Sequence, residues 1–152
     1  GERALTERDG GVSAATAGSP RTRQESGATE ALVNRIRAAV NDIHDPCSVS
    51  QGVPTGLVDM GLLCDVQLRP PEGGRHRVLV RIRLTGPGCF YGIYFEREIR
   101  VRLEAMADIG AIDVEFSSEF DWTPDDVAPH IQQRLRMRRE QLIAELPIDA
   151  RT

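Results

Sequence analysis

The chain predicts a two-layer α/β (α+β) domain: an α-β-β-α-β core whose three-stranded sheet is covered by helices, plus a C-terminal helix. Three observations carry that prediction. Two stretches, LLCDVQL (62–68) and VLVRIRL (78–84), alternate apolar and polar residues around a Pro/Gly-rich connection, the mark of a hairpin with one buried face. Leu32, Ile36, Val40 and Ile43 recur at helical spacing before it, and a second helical stretch follows Gly86-Pro87-Gly88. A third alternating stretch, IDVEF (112–116), comes next. The 152 residues suit one domain, and a hydrophobic fraction of 40% supports one modest core. The chain is too short for a doubly wound sheet and has no Gly-rich nucleotide loop.

Residues 1–28 are rich in small and polar residues and nearly lack large apolar ones, so they read as a disordered N-terminal tail. Thr29 is a cap for the first helix, with Glu30 in its first turn. That helix stops near Asp45-Pro46, because the residue before proline disfavours helical geometry. CSVSQGVPTG (47–56) reads as a loop. In the first strand Leu62, Cys64, Val66 and Leu68 share the inner face. In the second the inner residues are Val78, Val80, Ile82 and Leu84, and RPPEGGRH (69–76) is the hairpin loop. The second helix starts near Cys89 and stops at Gly110, with Ile93, Ile99, Leu103 and Met106 as its buried stripe. In the third strand Ile112, Val114 and Phe116 point inward, while Asp113 and Glu115 face Arg81 and Arg83 across the sheet. Thr123-Pro124-Asp125-Asp126 is a strong helix start, and Pro129 opens a further segment. There Ile131, Leu135, Leu142, Ile143 and Leu146 form a broken apolar stripe beside Arg134, Arg136, Arg138 and Arg139. The division is thus a tail (1–28), an α/β domain (29–128) and a C-terminal amphipathic helix and tail (129–152).

Composition excludes several functions. A net charge of −4 gives no support to nucleic-acid binding, which rests on concentrated positive charge. All 19 basic residues are arginine, a matter of base composition and not of chemistry. An aromatic fraction of 5% argues against a large aromatic ligand pocket. No apolar run approaches the ~20 residues that span a bilayer, so no membrane association is expected. The 3 cysteines are an odd number at irregular spacing, a poor disulfide framework. GERALTERDGG has no hydrophobic run of the signal-peptide kind, and a reducing cytoplasm is the expected compartment.

Cys89 stands out among residues that could carry chemistry. It lies where a strand gives way to a helix, behind Gly86 and Gly88, which leave backbone N–H groups uncovered. A helix N-terminus stabilises anions, so a thiol there ionises more readily and binds soft metals or attacks electrophiles. The same position also suits a small inert residue filling the helix–sheet junction. Cys64, in phase with Leu62, Val66 and Leu68, reads as core. Cys47 lies in a loop, an ordinary surface thiol or a second soft ligand. The sequence has no C-x-x-C and no paired histidines at helical spacing, and His44, His76 and His130 are scattered. Three cysteines cannot supply four cluster ligands from one chain. A cluster bridged between two copies, or handed over by one or two thiolates, stays open. Phosphatase chemistry drops out, because a C-x5-R loop would need arginine where Phe95 stands.

Together these motifs resemble the PaaD/SufT-like domain of iron–sulfur cluster assembly factors, from about Ala31 to Leu135. The resemblance is carried by Asp45-Pro46, LVDMGLLCDV (57–66), VLVRIRLTGPGC (78–89) and DWTP (121–124), in that order and spacing. The family's characteristic cysteine falls on Cys89 and its preceding Thr on Thr85. Two departures stand beside it. Cys47 follows Pro46 where the family has an acidic residue in that loop, and Phe90 replaces the proline usual after the key cysteine. The resemblance implies a non-enzymatic accessory factor for assembling an iron–sulfur cluster or delivering it to a client apo-enzyme, possible clients including a multicomponent oxygenase. It implies Cys89, with Cys47, as ligands of transiently held iron or cluster, and Thr85, Gly86, Gly88, Asp45 and Asp59 as supporting residues. The partners it implies are the client or other assembly proteins, and a homodimer is compatible with it. Two rival readings remain. One is a thiol enzyme with Cys89 as nucleophile and a base such as His44; the other is a protein-interaction module in which Cys89 is structural.

Overall fold

The computed structural model describes residues 20–150, with side chains described from residue 26 onward. Helices α1 (Pro20–Asn41) and α2 (Pro46–Ser50) precede strands β1 (Leu63–Leu68) and β2 (His76–Ile82). Helix α3 (Gly92–Glu104), strand β3 (Ile109–Phe116), a 3-10 turn (Pro124–Asp126) and helix α4 (Pro129–Glu145) follow. The sheet order is β1-β2-β3, with β1 antiparallel and β3 parallel to β2. A parallel neighbour requires a crossover, which α3 supplies. This is the α+β architecture expected, with one short helix added. No helix among the described residues is long and apolar enough to cross a membrane.

One face of the sheet carries the core. Val78, Val80 and Ile82 are fully buried under Ile36, Val40 and Ile43 on the α1 side and Phe95, Ile99 and Leu103 of α3. The β1–β2 turn closes through Gly73 and Gly74, at φ 60° and 81°, between paired Glu72 and Arg75. Two consecutive positive φ values are what a tight hairpin turn demands, and glycine adopts them without strain. The outer face is charged: Arg77 pairs with Asp113 at 2.9 Å and Arg81 with Glu115 at 3.3 Å. Both pairs are exposed and screened by solvent, so they add little to stability.

Several expectations are corrected. Helix α1 runs through Thr29, so Thr29 is not its N-cap. Of the expected tail, residues 1–19 lie outside the described residues and 20–28 are helical. The 47–56 loop contains α2.

Cys64 is exposed, not core, because the β1–β2 register shifts between Leu63 and Asp65. Leu63 faces Ile82 and Asp65 faces Arg81, which leaves Cys64 as the extra residue of a bulge. Helix α3 starts at Gly92, not Cys89, and ends at Glu104; Gly110 lies inside β3, whose pairing with β2 claims Ile109. Its inner face is Phe95, Ile99 and Leu103, while Ile93 is 81% exposed. Arg83 does not face the strand acids. Strand β2 ends at Ile82, and Arg83 reaches Asp121, Asp126 and the Gly61 carbonyl instead.

Candidate thiol cleft

The first wall of the cleft is built by the Asp45-Pro46 step. Asp45 is extended (φ −67°, ψ 124°), and its Oδ2 accepts from the Ser48 backbone N–H at 3.0 Å, capping α2; Pro46 fills the first helical position. The cap places Cys47 in the first turn with its side chain exposed. Behind it the loop is closed by buried bonds: the Asp45 N–H donates to Thr55 O (2.9 Å), the Ser48 hydroxyl to Asp45 O (2.6 Å), and the Thr55 N–H to the Ser48 hydroxyl oxygen (2.8 Å). Gly56 passes so close to Asn41 that any Cβ there would enter its carbonyl oxygen. The loop is therefore locked onto the end of α1.

The second wall is the turn after β2. The Cys89 N–H donates to Gly86 O at 3.2 Å, closing Gly86–Cys89 into a turn. Cys89 is half-buried and three residues short of the start of α3, so the helix terminus expected to activate it begins beyond it. The far side comes from the segment 122–127 and from α4. The Trp122 ring N–H donates to Met60 O at 2.7 Å, fixing the indole against the domain. Thr123 and Asp126 form a capping box that starts the 3-10 turn.

These walls enclose a cleft of about 440 Å³, whose lining includes Asp45, Cys47, Thr85 and Cys89 together with Trp122, Asp125, Gln132, Leu135, Arg136 and Arg139. Of the sequence-predicted site residues, Cys89, Cys47, Thr85 and Asp45 thus come together. Gly86 and Gly88 shape the turn but do not line the cleft. Asp59 lies elsewhere: its carboxylate accepts from the Asn41 amide at 3.1 Å, its own N–H donates to the Asn41 side-chain oxygen at 2.9 Å, and His130 stands 3.6 Å away. It clamps the loop to α1 and α4. None of the three histidines lines the cleft. Cys64 sits by Arg81 and Arg83, away from it.

Burial holds the Asp45 carboxyl above its ordinary range, against the backbone N–H groups of Ser48 and Cys47, which favour its charge. The Cys47 thiol is also raised, first by desolvation, then by the negative charges of Asp45 and Cys89. Cys89 thus lies near enough for its charge to act on Cys47. Among the described residues no three His, Cys, Asp or Glu side chains are grouped to hold a metal ion. The donor set is a pair of soft thiols beside a carboxyl already committed as a helix cap.

Sequence reasoning missed Gln132, Arg136 and Arg139 as cleft residues. The signal was present: positions 132, 135, 136 and 139 fall at i, i+3, i+4 and i+7, one helix face. Met60, Thr55 and Val127 could not be found so, because only the closed loop and the 122–127 segment bring them there.

A crystal structure of a domain of unknown function, DUF59, from Bacillus anthracis matches this chain with a TM-score of 0.60 at 18% identity, covering 74% of this chain and 98% of that one. The fold is shared with a DUF59 protein. A solution structure of Rv1466 from Mycobacterium tuberculosis, described as associated with Fe-S complex assembly and repair, matches at 19% identity over 85% of this chain and 97% of that one. Its TM-score of 0.39 is too low to establish a common fold. No family model and no curated protein matches the chain.

Proposed function

We propose that the protein is a non-enzymatic accessory factor that takes iron or an iron–sulfur cluster as transient cargo through the Cys89 thiolate, with Cys47 beside it, and passes it to a client apo-enzyme or another assembly protein. The observation that carries this reading is the meeting of Cys47 and Cys89, far apart in the chain, in one open cleft. Thiolates are the protein ligands that suit iron–sulfur clusters, which commonly take four. Two in one cleft leave a cluster half-coordinated, the condition for a cargo that must leave again. The remaining ligands then come from the client or from a second copy. The sequence resemblance to the PaaD/SufT-like domain and the fold shared with a DUF59 protein, a domain assigned to that family, support the reading. Clients among multicomponent oxygenases rest on the resemblance alone. The thiol-enzyme reading called for a base such as His44, and no histidine lines the cleft.

Anaerobic reconstitution with ferrous iron and sulfide, followed by visible absorbance, iron counting and native mass, tests this. Wild type should hold iron and sulfide. Cys89→Ser should lose them, Cys47→Ser should retain less, and Cys64→Ser should match wild type. Iron retained by Cys89→Ser at the wild-type level overturns the mechanism. The native mass distinguishes one copy per cluster from two.

A further inference from the structure

We infer that α4 makes its wall of the thiol cleft an anion-binding site, with Arg136 and Arg139 as its cations. The ligand class is a small anion that engages a cysteine at one end and the guanidinium pair at the other. Arg136 and Arg139 are three residues apart on one face of α4, and both line the cleft that Cys47 and Cys89 also line. Among the described residues neither side chain makes an ion pair or hydrogen bond. The arginines of the outer sheet face behave differently: Arg77 and Arg81 each engage a carboxylate. Arg138, between the two, turns the other way and lies against Gly52. The pair is therefore separated from its helical neighbour by direction and from the sheet arginines by lack of a partner.

The other charges facing the cleft are acidic. Asp45 is committed to the start of α2, and Asp125 lies on the lining without coming within ion-pair distance of either arginine. Two like charges side by side on a helix repel, and a bound anion relieves that repulsion.

For the proposed function the cargo fits this class. A dicationic iron–sulfur core with four thiolate ligands carries net negative charge, so a cluster held by Cys47, Cys89 and two outside thiolates presents an anion to the wall. That assignment of the ligand rests on the proposed function; the anion site does not.

Alkylation of the full chain by iodoacetate and by iodoacetamide separates the two. In both, cysteine sulfur displaces iodide from a CH₂ group, but only iodoacetate is an anion. Peptide mass analysis reads the rate at Cys89 and Cys47. The iodoacetate-to-iodoacetamide ratio cancels changes in thiolate supply. Arg136→Gln/Arg139→Gln should lower this ratio by about threefold or more, and about 0.5 M salt should lower it in wild type, as screening requires. Both side chains are exposed, so the variant should fold, which its melting curve checks. An unchanged ratio in the folded double variant overturns the anion site. A fallen ratio with iron retention lost in the variant supports both site and cargo. A fallen ratio in a protein whose wild type holds no iron keeps the anion site and sinks the cargo reading.

Discussion

Replacing Asp45 by alanine and by asparagine separates its role as a helix cap from its charge. The residue is 4% exposed, and its Oδ2 takes the Ser48 N–H at 3.0 Å. Alanine removes that acceptor from the start of α2. The Ser48 N–H keeps a bond to the Asp45 carbonyl at 3.0 Å, so the loss is that of a cap and not of an orphaned buried donor. The cost is about 1–2 kcal/mol, a fall in Tm of about 2–8 °C for a chain of this size. Asparagine offers the same acceptor and caps as well as aspartate, so its Tm should stay within about 2 °C of wild type.

The pH dependence follows from the raised carboxyl. A folded-state pKa above the ordinary 3.8 means that the folded chain binds the proton more tightly than the unfolded chain. Wild type therefore gains stability from this group as pH falls through the folded value, fully below 3.8, and loses it as pH rises. Asparagine has no charge to desolvate, so its stability relative to wild type is highest at neutral pH and declines on acidification. Thermal melts of the three proteins between pH 3 and 7 read both effects. If Asp45→Asn falls as far as Asp45→Ala, the charge and not the cap holds the loop, and the reasoning fails. A relative gain for asparagine on acidification refutes the direction of the shift.

Gly56→Ala should cost about 3 kcal/mol or more, because its Cβ would enter the Asn41 carbonyl and side-chain oxygens; a urea midpoint near wild type would show that the loop can yield. Cys64→Ser should change stability by no more than about 0.5 kcal/mol, since the bulge exposes it; a large loss would place it back in the core. Truncation before Met137 should leave the urea midpoint almost unchanged, because Ile131 and Leu135 make the core contacts of α4 while Leu142 and Ile143 are each 46% exposed. It should also lower the iodoacetate preference as the arginine variant does, because it removes Arg139.

The order of helices and strands was legible because each element's apolar period is local. Val78, Val80 and Ile82 alternate, and Ile36, Val40 and Ile43 recur on one helix face, whatever else the chain does. The turn at Gly73-Gly74 and the cap at Thr123 were equally local. Cys89 and Cys47 could be picked out as soft ligands from residue type and resemblance. Their meeting could not, because it depends on Gly56 passing tight against Asn41 and on the turn at Gly86. Cys64 was misread because a single bulged residue reverses which face a side chain takes, and no period along one strand records its partner's register. Phe95 and not Ile93 stands on the inner face of α3, because 95, 99 and 103 are spaced by four and share one helix face, while Ile93, two residues before Phe95, falls on the other side. Tertiary packing decided the α4 wall: the helix docks on the core through Ile131 and Leu135, and that docking brings Arg136 and Arg139 to the lining of the cleft that also holds the two thiols.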